Sequence, residues 1–338
     1  PSKQYNQAIA LLEEQKYDEA RSIMRSLGSF KDAENYVTNE IYYEEAVDLY
    51  EEGKYNRSAA AFIEYFYTLR SYNYKEVDDY LEKIYQKGIS YLNEGDPQTA
   101  SAIFQTLQTY KSNIGYKESD GYYTRCLYEL GVQQFQAGKY SLAQNYFLNS
   151  LGYGDSVNYM KKIFKNAISV GDSITIGTYD KKSVSWRVLS KSDTEMLLIS
   201  RYVIEKADQY DSNKYSNWKE SILRNHLISL ASELFSTEEK VLLKRNSLGD
   251  YLSLLTANQA KTLFSSNEDR TVILKLENDG STSSAYPWEL MPTEKKENGK
   301  VVFDYVSSSG NVESVIRSSG NGNFGVYIRP VITIDLSE

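Results

Sequence analysis

A multidomain chain is predicted: an all-α helical-repeat solenoid over residues 1–170, followed by an α+β domain over residues 171–338. Three observations predict it. Five columns of residue types recur four times in the first half, at starts 38, 42 and 43 residues apart. After Gly171 the periodicity changes to the two-residue alternation of "SITIGTY". The chain then closes on "FGVYIRPVITIDL", Phe324 to Leu336, whose β-branched residues read as one strand.

The first half comes first. Tyr5, Tyr43, Tyr85 and Tyr128 set the register, and Ala8, Ala46, Gly88 and Gly131 follow three residues later. Tyr17, Tyr55, Pro97 and Tyr140 come next, then Ala20, Ser58, Ala100 and Ala143, then Met24, Phe62, Phe104 and Phe147. Small residues recur where two helices must approach closely, and large ones fill the space beside them. The turns "QKYDEA", "GKYNRS", "GDPQTA" and "GKYSLA" let a glycine end one helix and Asp18, Asn56 or Ser141 cap the next. Between the segments stand "LGSFKDA", "IGYKES" and "LGYGDS". These columns resemble the tetratricopeptide repeat over about residues 1–165, most closely in "KYDEA" and "GKYSLA". The period exceeds that family's ~34 residues, which places the extra length in the inter-repeat loops. Two uses are open: a spacer or assembly scaffold, or a concave face that takes an extended peptide. Val157 to Val170 is expected to be a last helix that caps the array and packs on the second domain, making a rigid rod. Tyr159, Met160, Ile163, Phe164, Ala167 and Ile168 form too broad an apolar stripe for an end helix facing water.

In the second half "SITIGTY", "SWRVLS" and "EMLLIS" read as strands, the last two joined by the turn "KSD". "NWKESILRNHLISLASELF" reads as a helix with Trp218, Ile222, Leu223, Leu227, Leu230 and Leu234 on one face. "STEEKVLL" opens with a capping box from Ser236 to Glu239. "DYLSLLT" reads as a short buried strand and "ANQAKTLF" as a brief helix. "VVFDYV" and "VESVI" form a hairpin about "SSSGN", and the first and last strands are expected to pair.

The ordered set "ITIGTYD", "WRVL", "LLIS", "WKESILRNHL", "LFSTEE", "YLSLLT", "YPWEL", "FDYVSSSGNV" and "GVYIRPVITIDL" resembles a bacterial domain-of-unknown-function family, number six-two-seven-three, across residues 171–338. That family is common in gut Gram-positive bacteria and often follows a membrane anchor and helical repeats. The ending also resembles those of C-type-lectin-like and formylglycine-generating-enzyme-like domains, so the resemblance implies a C-type-lectin-like fold. The chain departs from the family at His226, where tryptophan is usual, and at "WELMP", Trp288 to Pro292, where the family has tryptophan–leucine–arginine–serine–proline.

Composition and motifs bound the chemistry. Net charge is −8, which argues against nucleic acid or an anionic membrane as the main partner. No run of about 18 apolar residues occurs, so no direct membrane insertion is expected. One cysteine, Cys126, allows no internal disulfide and reads as buried; it also stands in the wrong domain for the cysteine chemistry of the sulfatase-modifying relatives. One histidine, His226, excludes a multi-histidine metal site and reads as a structural group in an apolar helix. "GNGNFG", Gly320 to Gly325, spells G-x-G-x-x-G but precedes a strand rather than a helix, so no dinucleotide site is expected. Asp208 and Asp211 lack a closing glutamate for calcium, and the lectin sugar-binding tripeptides are absent. Glu238 and Glu239 suit a helix start. Arg329 reads as structural at the strand end, with a ligand clamp as the other reading.

No catalytic residue, metal or cofactor is predicted. The candidate ligand-binding residues are Tyr286, Trp288, Tyr305 and Tyr327, an aromatic face for sugars or peptides, together with Arg329; Trp288 as core is equally open. The functional expectation is a non-enzymatic cell-surface binding or scaffold protein with a glycan or protein partner. The alternative is a hydrolase or modifying enzyme. A start at Pro1 without methionine and the family's usual anchor point to an extracytoplasmic location.

Overall fold

The computed structural model describes residues 1–68, 74–207, 218–272, 285–291, 296–297, 300–316 and 325–337. The chain divides into two compact units, Pro1–Tyr153 and Gly154–Glu338. The first is helical and the second is rich in sheet, so the helical-then-α+β layout expected from the sequence is present. The boundary falls before residue 170. Helix Ser156–Ala167, expected to cap the array, is grouped with the second unit.

Helices α1 (Ser2–Glu13) and α2 (Tyr17–Leu27) form the first antiparallel pair. The short α3 (Ala33–Asn35) runs through a π turn at Tyr36–Glu40 into α4 (Ile41–Glu51), which pairs with α5 (Tyr55–Ile63). Next come α6 (Val77–Asn93) with α7 (Pro97–Leu107), the single turn α8 (Tyr110–Asn113), and α9 (Ser119–Gln136) with α10 (Tyr140–Leu148). The recurrent small and large columns are core: Ala8, Ala46, Ala20, Ala100 and Ala143 are buried, as are Met24, Phe62, Phe104 and Phe147. A Cβ on Gly131 would stand 2.7 Å from Phe147, so only glycine lets that ring reach the α9 backbone. The capping expectation fails. Asp18, Asn56 and Ser141 lie one residue inside their helices, whose N-caps are Lys16, Lys54 and Lys139 without a side-chain cap bond. Of the four N-caps only Asp96 carries an acceptor, and it accepts from Thr99 N, with Pro97 at the first helical position; a lysine ammonium has no lone pair to offer.

The connecting segments carry a pattern that the register of five columns missed. An aromatic, a cation, an acid and a small residue recur as Phe30-Lys31-Asp32-Ala33, Tyr74-Lys75-Glu76-Val77 and Tyr116-Lys117-Glu118-Ser119, and then, with glycine for lysine, as Tyr153-Gly154-Asp155-Ser156. The acid accepts a hydrogen bond from the phenol that opens the preceding segment: Tyr5 to Asp32, Tyr43 to Glu76 at 2.7 Å, Tyr85 to Glu118 at 2.9 Å. Each lysine takes the left-handed conformation, with φ of 50°, 43° and 51°. Its ammonium then lies over the same tyrosine ring, at 4.4, 4.6 and 5.4 Å from the centroid. The cation–π contact offsets a backbone strain of about 1–2 kcal/mol. Burial first, and the facing carboxylate second, push the Tyr43 and Tyr85 phenols above their ordinary value, so both stay protonated donors. Tyr85→Phe should therefore lower stability by about 1–2 kcal/mol, since it leaves Glu118 without its donor but keeps the ring. Far-UV circular dichroism in a denaturant series reads this out; an unchanged midpoint would mean that water replaces the phenol at no cost.

In the second unit α11 (Ser156–Ala167) buries Met160, Ile163 and Phe164, and Lys161 donates to Ser337 O at 2.7 Å. Strands β1 (Ser173–Tyr179), β2 (Lys182–Lys191) and β3 (Glu195–Ser200) form a meander. β4 (Glu205–Lys206), α12 (Ile222–Leu234), β5 (Leu243–Lys244), α13 (Ala257–Thr262) and α14 (Asn267–Arg270) follow. Then come β6 (Trp288–Glu289), β7 (Lys296–Glu297), β8 (Lys300–Val306), β9 (Val312–Ile316), β10 (Tyr327–Ile328) and β11 (Val331–Asp335). One antiparallel sheet has the order β1-β2-β3-β11-β5. The other has β4-β10-β6-β8-β7, with β9 also on β8 and β10 parallel to β6.

Several expectations need correction. The closing segment is two strands in two sheets, because Pro330 has no N–H to continue a ladder and Arg329 turns into the core. β11 pairs with β3 and β5, not with β1, whose partner is β2. Ser236 and Glu239 make the reciprocal capping bonds, yet only a single 3₁₀ turn, Glu239–Leu242, follows. "DYLSLLT" makes one isolated bridge, Ser253 to Val331, rather than a ladder. Ile222 is 40% exposed, so it leaves the apolar face of α12.

Candidate functional site

The five sequence-predicted site residues do not form one surface. Trp288 on β6 is fully buried, and its indole N–H donates to Arg270 O at 3.1 Å. Of the two readings open for Trp288, exposed aromatic or core, the core one holds, because β6 is flanked on both sides, by β10 and β8, and packs over Phe264, Leu290 and Val306. Tyr286 and Tyr327 are half-buried and meet edge to face at 4.8 Å. Tyr305 is registered with Glu289, one residue on from Trp288, so it points to the opposite face of the sheet. Its phenol donates to Glu313 Oε2 at 2.6 Å across β8 and β9, and that bond first, then burial, pushes it up to about 12.

Arg329 is 3% exposed. Its Nε donates to Ser200 O at 3.0 Å and its Nη1 to Arg270 O at 3.1 Å, and its guanidinium carbon lies 5.1 Å from the Trp288 ring centroid. The main-chain carbonyls that it holds join β3 to the end of α14. This is the structural reading of Arg329. Beside it Arg187 Nη1 donates to Asp269 Oδ1 at 2.6 Å, which holds that carboxyl down from 3.8 to about 2. A depressed carboxyl stabilises the fold fully above its unfolded value and loses that contribution as pH falls through the folded one. Asp269→Asn should thus be less stable than the parent at neutral pH, with the difference closing between about pH 4 and about pH 2. Urea midpoints at stepped pH measure it, and a constant difference would remove the ion pair from the explanation.

His226 sits half-buried on α12 with Nε2 against Glu205 Oε1, a contact between helix and β4. Cys126 is buried, and desolvation pushes its thiol up to about 12, which leaves it an inert side chain of the helical core. Asp208, Asp211 and most of "GNGNFG" lie outside the described residues. Among the described residues no cluster of three or more His, Cys, Asp or Glu could hold a metal ion, and no helix is long and apolar enough to cross a membrane.

The second unit does contain an open cleft that the sequence did not single out. It encloses about 450 Å³ between α12 and the segment Thr237–Tyr251. Ile228, Ala231 and Val241 form its apolar wall, Ser232 and Thr237 supply hydroxyls, and Lys240 and Arg245 supply charge. The loop under Arg245 is tightly bonded. Asn246 Oδ1 accepts from Leu248 N at 2.9 Å and Asp250 N at 3.0 Å, and Asp250 is clamped by Arg224 at 2.7 and 2.9 Å. The one local signal was the three cations of "EEKVLLKRN", of which Lys240 and Arg245 line the cleft, and the capping box obscured it. Comparison of the chain with protein-family models, with curated proteins and with solved structures finds no match.

Proposed function

We propose that the chain is a non-enzymatic binding or scaffold protein of the bacterial cell surface, in which tetratricopeptide-like repeats hold out a lectin-like recognition domain. The observation that carries the scaffold part is the phenol-to-carboxylate bond repeated at Tyr5–Asp32, Tyr43–Glu76 and Tyr85–Glu118. It joins the opening helix of one segment to the connection that starts the next, so polar groups of the helical unit are committed to holding its shape. A region built in this way suits a spacer or docking scaffold. The second unit, as the recognition module, takes a glycan or a protein, and the resemblance of its motifs to family six-two-seven-three supports a location outside the cytoplasm. Glycan and peptide arrays probed with the full chain, with turnover assayed on every hit, test the reading. Retention without product is expected. Product formation abolished by a single polar substitution would overturn it in favour of an enzyme.

A further inference from the structure

The cleft beside α12 combines features that the fold does not need. Ile228 on α12 is 42% exposed and Val241 on the neighbouring segment 58%, a pair of aliphatic side chains left in water at the cleft. Lys240 and Arg245 flank them, and neither is paired with a carboxylate among the described residues. Asp250 lines the cleft but is 7% exposed and held by Arg224, and Glu239 accepts from Ser236 N and Gly177 N. Glu233 and Glu238 are exposed and do not line the cleft. In a chain of net charge −8, this is a local positive site around an apolar seat. Its wall is already ordered, because Arg245 Nη1 donates to Gly249 O at 2.8 Å and the guanidinium lies 4.3 Å from the Tyr251 ring centroid. A preformed wall lowers the entropy lost on binding.

We infer that this cleft docks an acidic peptide segment, with an apolar side chain seated between Ile228 and Val241 and flanking carboxylates on Lys240 and Arg245. The inference rests on the reading of the second unit as a recognition module and names its partner. Charge complementarity selects an acidic ligand. The apolar seat selects peptide over acidic sugar: a sugar ring stacks on a free aromatic face, and the cleft's Tyr251 already carries Arg245, while its open surface is aliphatic. The volume, about 450 Å³, holds one anchor side chain and its neighbours rather than a folded surface.

The test selects from a random peptide library on the full-length protein and measures the enriched peptides by fluorescence anisotropy, with oligogalacturonate as an anionic sugar control. Enriched peptides should carry Asp or Glu next to an aliphatic or aromatic residue. Their affinity should fall about tenfold or more with Lys240→Glu or Arg245→Glu, and also with rising salt. Val241→Ser should weaken them with little change in salt dependence, which keeps the test open if one charge reversal misfolds. The inference is overturned if the enriched peptides lack acids, if Lys240→Glu and Val241→Ser bind as the parent does, or if oligogalacturonate occupies the cleft and displaces the peptide. Ligands that bind the parent and both variants alike would leave a recognition module with its site elsewhere. No ligand on the parent in either format would overturn the module reading itself.

Discussion

Gly310→Ala should cost the second unit on the order of 3–5 kcal/mol, enough to unfold a marginal domain. Gly310 ends the tight connection between β8 and β9, with its N–H on Ser307 O at 2.9 Å and φ of +82°. A Cβ there would lie 1.8 Å from the carbonyl oxygen of Asn267, a main-chain atom that cannot swing away. The glycine must also stay where it is, because Arg270 Nε donates to its carbonyl at 2.8 Å and Asn267 Nδ2 donates to Asn311 Oδ1 at 2.5 Å. Relief would require the hairpin to leave α14, breaking both contacts. Gly249→Ala is the control: its φ of +86° carries the same penalty, but a Cβ there meets nothing within 4 Å. It should cost only about 1–2 kcal/mol. The three tryptophans, Trp186, Trp218 and Trp288, all lie in the second unit, so their fluorescence follows that unit in denaturant. Equal midpoints for the two variants would mean that the connection shifts freely and that the clash is not limiting.

The sequence carried more of the fold than of the site. Strand alternation in "SITIGTY" and the small–large columns of the helical half are local signals, and local signals survive without coordinates. Long-range pairing does not. Whether Trp288 faces water depends on β10 lying alongside β6, and that pairing joins Tyr327 to Trp288 across a wide gap in the chain. The same holds for Arg329, whose two carbonyl partners come from residues 200 and 270. The phenol-to-acid bonds of the helical unit were legible in principle, as an aromatic–lysine–acid–small pattern spaced like the repeat itself. The count of 31 tyrosines signalled that the ring needed a second role beyond packing. The cleft had no such signal. Lys240 and Arg245 become neighbours of Ile228 only after the chain turns at Glu239–Leu242 and runs back along α12.

A comparable loss, about 3–5 kcal/mol, should come from Arg329→Ala in the core. A buried cation without a carboxylate bonded to it is costly to hold, and burial first, then the charge on Arg187, pushes its pKa down to about 9. At neutral pH it is nevertheless charged, and it holds Ser200 O and Arg270 O while its guanidinium stacks by Trp288. Alanine deletes the charge but leaves a cavity and strips Ser200 O of this donor in a dry environment. Arg329→Met separates these terms. It fills most of the volume and avoids burying a charge, so its cost should be about 1–3 kcal/mol, chiefly that of the carbonyls left unserved. Arg329→Lys keeps the charge on one compact group that cannot reach both carbonyls in a fixed fork, so it should fall nearer alanine than methionine. The order parent, then methionine, then lysine and alanine, read by tryptophan fluorescence, tests whether the two-carbonyl fork is what the residue supplies. If lysine matched the parent, a positive charge under Trp288 would be enough, and the hydrogen bonds between β3 and α14 would be incidental.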